Sequence, residues 1–199
     1  SSAASDVYKR QMLAVLGIAS KELDKILEIN SKKYECFIAN DNSNLQVVVS
    51  GLKKDINLLS DDLNNKKIKN LKLNVSAPFH CKYMKTASEK MTSYINDLNM
   101  NELEKPIISN VTANETSSSR EIKSLLISQI EKKVRWLESV EYMINNGVKN
   151  FVEIGPGKVL SGLIKRINKN VNVNSINSEE DIKILINAVS YTHLTLPTR

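Results

Sequence analysis

His80 carries the chemistry that is easiest to read in this sequence. It ends the stretch 75–80 (VSAPFH), directly behind Pro78 and Phe79. An imidazole titrates near neutral pH, so it can take a proton from a reacting group and return it within one cycle. The place suits that role, because α/β proteins set reacting groups where a strand-like segment gives way to a helix. The missing half of such a device is a nucleophile. No serine stands in a G-x-S-x-G elbow, and no Asp or Glu is spaced to pair with His80 in an evident way. From spacing alone the chain holds a base without a nucleophile, and a purely structural histidine stays open.

Other reactive groups are few. Cys36 and Cys81 lie far apart without a C-x-x-C spacing, and they read as reduced thiols of a cytoplasmic protein. Two histidines and no clustered ligands give no reason to expect a metal. Gly155-Pro156-Gly157 resembles a phosphate cradle in isolation, but a turn that starts the next helix is the plainer role. Trp136 has Val134, Leu137 and Val140 for neighbours and is expected in the core.

The elements that must position His80 fall into two groups. The apolar run 12–18 predicts a strand, and Ser20 is the expected N-cap of a helix with Leu23, Ile26, Leu27 and Ile29 on its inner stripe. Residues 34–39 and 46–50 read as two strands of a hairpin across the polar cluster 40–44, with Gly51 ending the second. A helix over 55–63 and an alternating strand over 67–74 follow. The order strand, helix, strand, strand, helix, strand is a ferredoxin-like βαββαβ arrangement. After it come an irregular stretch through Pro78, a helix over 81–98 with Met84, Met91, Ile95 and Leu98 inward, and a strand at 107–111. Helices over 120–132 and 135–145, with Gly147 closing the second, lead to strands at 151–154 and 171–176 and helices at 158–167 and 178–188. Alternation of this kind predicts an α/β layer with a largely parallel sheet. The expected division is 12–74 and 75–188. The stretches 1–11 and 189–199, the latter with His193, look like translated adapter sequence foreign to the rest.

Composition excludes several classes. Hydrophobic content of 41% and charged content of 25% are ordinary for a globular chain, and no apolar run approaches the roughly 20 residues of a membrane span. The net charge of +6 comes from scattered lysines, 23 against 5 arginines, with few aromatic residues for base stacking. Neither nucleic acid nor membrane is therefore an expected partner. The mild positive charge suits an acidic carrier protein or the phosphates of coenzyme A.

Five stretches carry a resemblance: ANDNSNLQVVVSG (39–51), VSAPFHCKYM (75–84), PIISNVTA (106–113), VRWLESVEYM (134–143) and VEIGPGKVLSGLIKR (152–166). In this order and spacing the chain resembles the malonyl-CoA:acyl-carrier-protein transacylases of fatty-acid biosynthesis from Met12 to about Ala188. The resemblance implies a ferredoxin-like subdomain inserted before the C-terminal part of an α/β-hydrolase-like acyltransferase core. It implies a Ser-His dyad working by a ping-pong route, with no cofactor beyond the coenzyme A thioester that is its substrate. His80 matches the family's general base and acid, and Gln129 matches the residue whose backbone carbonyl orients it. Asn42 and Gln46 match polar residues at the subdomain's face of the cleft, although hairpin turn chemistry accounts for them equally well. Phe79 matches a position that favours malonyl over branched acyl groups, since a ring beside the base leaves little room for an α-methyl. The nucleophile belongs to a segment absent from this chain, so the chain as it stands is expected to be inactive.

The implied partners are malonyl-CoA and acyl carrier protein, and the implied compartment is the cytoplasm, or a plastid for a eukaryotic source. Two alternatives stay open at this level. One is an acyltransferase domain of a polyketide synthase. The other is a non-catalytic ferredoxin-like module that binds a carrier protein.

Overall fold

Leu13, Val15, Val47 and Val49 are fully buried and alternate along two strands, so one face of a sheet is sealed by them. The computed structural model describes residues 10–75 and 77–194, with side chains as far as residue 187. Its first elements are β1 (Arg10–Leu16), α1 (Ser20–Ile29), β2 (Cys36–Ser43), β3 (Gln46–Leu52), α2 (Lys53–Asn65) and β4 (Asn70–Leu73). The strands lie in the order β2-β3-β1-β4, each antiparallel to its neighbours. Both helices pack on one face, where Leu23, Leu27, Ile56, Leu59 and Leu63 meet the four strand residues. Each such side chain contributes about 1.5–3 kcal/mol when fully buried. The other face carries Met12, Ala39 and Val48, with Leu73 and Val75 against them.

Several local expectations are corrected here. The polar cluster 40–44 is not a turn throughout, because β2 continues to Ser43 and leaves only Asn44 and Leu45 to reverse the chain. The cause is a partner distant in sequence. Val134 donates to Ala39 O at 2.8 Å and accepts from Asp41 N at 2.9 Å, which holds the end of β2 extended. Gly51 lies inside β3, where an added Cβ would stand 3.1 Å from Glu35 O. Ser20 does not cap α1, since Ala19 occupies that position and the Ser20 hydroxyl binds Asp41. Ile29 falls off the inner stripe and is 82% exposed.

Past residue 75 the predicted 81–98 helix is divided. A single 3-10 turn, Lys82–Met84, capped by the extended Cys81, precedes α3 (Lys85–Asp97). Of its expected inward residues only Ile95 is buried, while Met91 and Leu98 are largely exposed. The strand predicted at 107–111 shortens to β5 (Ile107–Ile108), antiparallel to β6 (Glu115–Thr116). Helix α4 (Ser119–Gln129) opens on Ser118, whose hydroxyl accepts from Glu121 N. The S-x-x-E spacing is that of a capping box. α4 stops three residues short of the expected end, and α5 (Trp136–Asn145) follows.

The chain divides into two compact units, residues 1–142 and 143–199. In the second, Gly147 at φ +89° closes the preceding helix as expected of a residue that must turn left-handed. β7 (Asn150–Ile154) and β8 (Asn172–Ile176) pair in parallel, with α6 (Val159–Ile167) between them and α7 (Glu179–Leu194) after them. Phe151, Leu163, Ile164 and Val171 are buried. The largely parallel sheet is thus one parallel pair among the described residues, because two-residue strands joined by a short turn, as at β5 and β6, can only run antiparallel. Of the foreign-looking ends, Arg10 and Gln11 belong to β1 and α7 runs to Leu194; residues 1–9 and 195–199 lie outside the described residues. Among the described residues no helix is long and apolar enough to cross a membrane.

Candidate active site

The loop that presents His80 is fastened at Pro78 and at Phe79. Pro78 is fully buried, and its carbonyl accepts from Cys81 Sγ at 3.1 Å. The Phe79 carbonyl accepts from the Ser50 hydroxyl of β3 at 2.7 Å. His80 itself has φ +60°, a left-handed conformation that costs a non-glycine residue about 1–2 kcal/mol. Strain of this kind persists only where neighbours over-determine it, and it gathers at functional sites.

The imidazole is held from the other side by α4. Gln129 O lies 2.9 Å from His80 Nδ1. Gln129 is the last residue of α4, where carbonyls lack an intrahelical donor and are open to outside partners. A carbonyl can only accept, so Nδ1 carries a proton; in the neutral ring the lone pair then sits on Nε2, the form a general base requires. The Gln129 side-chain amide is 3.4 Å from the same Nδ1 but also donates to Lys132 O at 3.2 Å. Two donors cannot share one bond, so the backbone carbonyl is the partner of the ring. The structure thus brings His80 and Gln129 together across 49 residues of sequence.

Phe79 is 40% exposed, its ring centroid 6.4 Å from that of His80. Gln46, half-buried, opens β3 on the same face as Val48 and Ser50, opposite the helices. Four residues of extended chain separate it from Ser50, about 13 Å. Asn42 sits half-buried in an irregularity of β2 between Asp41 and Ser43.

A second set of contacts braces the loop behind His80. Tyr83 donates to Glu35 at 2.6 Å, Lys82 pairs with the same carboxylate, and Phe37 meets Tyr83 edge-on at 5.7 Å. The hydrogen bonds from Lys82 and Tyr83 hold the Glu35 carboxyl below its ordinary range. Behind the loop lies a groove of about 620 Å³, with Leu27, Tyr34, Cys36, His80, Lys82 and Lys133 among its walls. Both cysteines are free thiols. Burial pushes Cys36 up to about 12 and raises Cys81 as well, so neither is a ready nucleophile. Among the described residues no three His, Cys, Asp or Glu side chains gather as a metal site.

The glycine turn is not open to a phosphate. Glu153 accepts the Leu160 and Ser161 N–H groups at 3.0 and 2.7 Å, and Asn177 Oδ1 accepts Gly157 N–H at 2.6 Å. The donors a phosphate would need at the start of α6 are taken, in agreement with a turn that begins a helix.

Two residues bonded to the backbone around the site are marked by no spacing in the sequence. Ser50 reads as a polar break in an apolar strand, yet it is fully buried against the loop that presents His80. Arg135 binds Thr112 O at 2.9 Å, pairs with Glu138, and through its N–H holds Asn110 O at 2.9 Å. It fixes the turn after β5 beside the segment that follows Gln129. Its only signal was its place inside a matched stretch.

No family model matches the sequence. The chain is 40% identical over 176 residues to a malonyl CoA-acyl carrier protein transacylase of Staphylococcus aureus (strain MSSA476), covering 86% of this chain and 56% of that protein. Its fold matches the crystal structure of a malonyl CoA-acyl carrier protein transacylase from Clostridium perfringens with a TM-score of 0.87 and 34% identity, over 94% of this chain and 59% of the other. It also matches, with a TM-score of 0.83 and 30% identity, a malonyl-transacylase in complex with its type II PKS acyl-carrier protein, over 90% and 59% of the two chains. The chain spans a little over half the length of these proteins. Over that span, the chain is a homologue of the malonyl CoA-acyl carrier protein transacylases.

Proposed function

We propose that this chain is the histidine-bearing part of an acyltransferase that moves a malonyl group from coenzyme A to the phosphopantetheine thiol of an acyl carrier protein. The observation that carries the reading is the 2.9 Å contact between His80 Nδ1 and the Gln129 carbonyl, which leaves Nε2 as the basic nitrogen. In the forward half-reaction Nε2 takes the proton of a serine hydroxyl as its oxygen attacks the thioester carbonyl. The same proton then passes to the departing coenzyme A sulfur, leaving a malonyl-serine ester. The second half runs in reverse onto the carrier thiol. On this reading the serine is supplied from outside this chain, which spans a little over half the length of its relatives.

The βαββαβ order and the strand order β2-β3-β1-β4 support a ferredoxin-like subdomain. The parallel β7–β8 pair with its helices supports the C-terminal part of an α/β-hydrolase-like core. Val152, Ile154, Val159 and Leu160 are all more than 40% exposed, Ile154 as much as 80%. An apolar surface of that extent suits burial by the remaining length of such a core. The working compartment on this reading is the cytoplasm, and the partners are malonyl-CoA and the carrier protein. The relative in complex with an acyl-carrier protein supports the second partner.

The test is His80→Ala in the full-length protein. Loss of a general base lowers malonyl transfer by about 10²–10⁴-fold, and a loss under about tenfold overturns the assignment. A serine elbow encoded upstream of Met12 is the second expectation. The purified 199-residue chain alone is expected to transfer no malonyl group.

A further inference from the structure

Ser50 has no exposure to solvent, and a buried hydroxyl must find a partner. Its partner is the Phe79 carbonyl at 2.7 Å. That carbonyl belongs to the peptide joining Phe79 to His80, so its direction and the φ of His80 describe two ends of one rigid plane. His80 has φ +60°, a left-handed conformation that a residue with a side chain adopts uncommonly and at a cost of about 1–2 kcal/mol. Rotating the peptide plane would release that angle and swing the ring away from Gln129. Two contacts from two different elements therefore fix the imidazole: Ser50 of β3 grips the peptide before it, and Gln129 at the end of α4 grips its Nδ1.

We propose that Ser50 is a positioning residue for His80, its hydroxyl holding the Phe79–His80 peptide in the orientation that keeps Nδ1 on the Gln129 carbonyl and Nε2 free to act as base. The functional half of this statement rests on the acyltransferase reading above. The geometric half does not, and the two are separable by experiment.

The sequence contains two histidines, so ¹⁵N spectra of the imidazoles in the 199-residue chain report on His80 with His193 as the internal reference. In the parent chain the His80 ring is expected in the Nδ1–H form. In Ser50→Ala the ratio of Nδ1–H to Nε2–H forms is expected to fall about tenfold, the effect of one lost hydrogen bond. Ser50→Thr, which keeps the hydroxyl, restores the parent ratio, and His193 does not move in either. A tautomer ratio unchanged in Ser50→Ala overturns the proposal, as does a Ser50→Thr chain that shifts as far as Ser50→Ala. Where Ser50→Ala gives no cooperative melt, Ser50→Cys, close in volume and a weaker donor, is read by the same two criteria. A shifted ratio in Ser50→Ala together with full malonyl transfer by a His80→Ala full-length protein would leave the positioning intact and remove the catalytic reading. The opposite pair of results would remove the positioning alone.

Discussion

Val134 donates its N–H to the carbonyl of Ala39 at 2.8 Å, which fastens the segment after Gln129 to the outer edge of β2. Phe79 is fastened to the neighbouring strand β3 through Ser50. The histidine and the carbonyl that orients it are thus mounted on adjacent strands of one sheet. A rigid mount of this kind is what holds a hydrogen bond between distant segments near its productive length.

Val134→Pro removes the donor and leaves the fully buried Ala39 without its partner. The expected cost is about 1–3 kcal/mol. For a chain of this size each kcal/mol lowers the melting temperature by about 2–4 °C. Calorimetry of the variant chain checks this, and an unchanged melting temperature would count against the mount.

Asp41 is buried, and its Oδ1 has no hydrogen-bond partner among the described residues. Burial raises its carboxyl above the ordinary range, against the opposing effects of the Ser20 hydroxyl and Lys133. A carboxyl with a raised folded value holds its proton more tightly in the folded state. Its contribution is therefore complete below the unfolded value near 3.9, and is lost as pH rises through the folded one. Asp41→Asn should melt higher than the parent at pH 7, with the gap closing toward pH 4. Urea titrations at the two pH values decide the matter, and a variant less stable at both would refute it.

The fold was legible where partners are close in sequence. Leu13 and Val15 announced β1, and Leu23 and Leu27 announced the inner stripe of α1. Residues 40–44 were misread because turn-forming types are overridden there by Val134, more than ninety residues away. The apolar stripe of α3 was read correctly as apolar, but a stripe does not say where its cover comes from, and Met91 and Leu98 stand exposed. At the site, His80 was visible as a lone base. Gln129 was not visible in any spacing, since a backbone carbonyl at a helix end has no residue signature, and only the resemblance pointed to it. Ser50 was hidden because a polar residue at the end of an apolar run normally marks its approach to solvent.

Phe79→Ser in the full-length protein addresses acyl choice. Phe79 lies beside the His80 ring, and removing its bulk opens room for an α-methyl branch. The ratio of kcat/KM for methylmalonyl-CoA over malonyl-CoA is expected to rise about tenfold, the scale of one methyl group in a pocket. Steady-state rates with both thioesters measure it, and a ratio that does not move would detach Phe79 from selectivity.

Cys36, pushed up to about 12 by burial, and Cys81, raised by the same cause, should be slow to react. Alkylation of the native chain at pH 8 is expected to run at least about a hundredfold slower than in denaturant. Mass spectrometry of iodoacetamide-treated samples over time gives both rates, and equal rates would contradict the buried-thiol picture.

Met12 and Leu73 are opposite one another in the β1–β4 ladder. The first and last strands of the four-stranded unit therefore enter and leave side by side, like the two pins of a plug. Chain that continues from the two ends starts from neighbouring points, so joining it across this edge costs no more closure entropy than a short surface loop. Both ends of the four-stranded unit thus emerge together, with a helix-covered core drawn from its own strands and helices on one face and Val48 and Ser50 on the other.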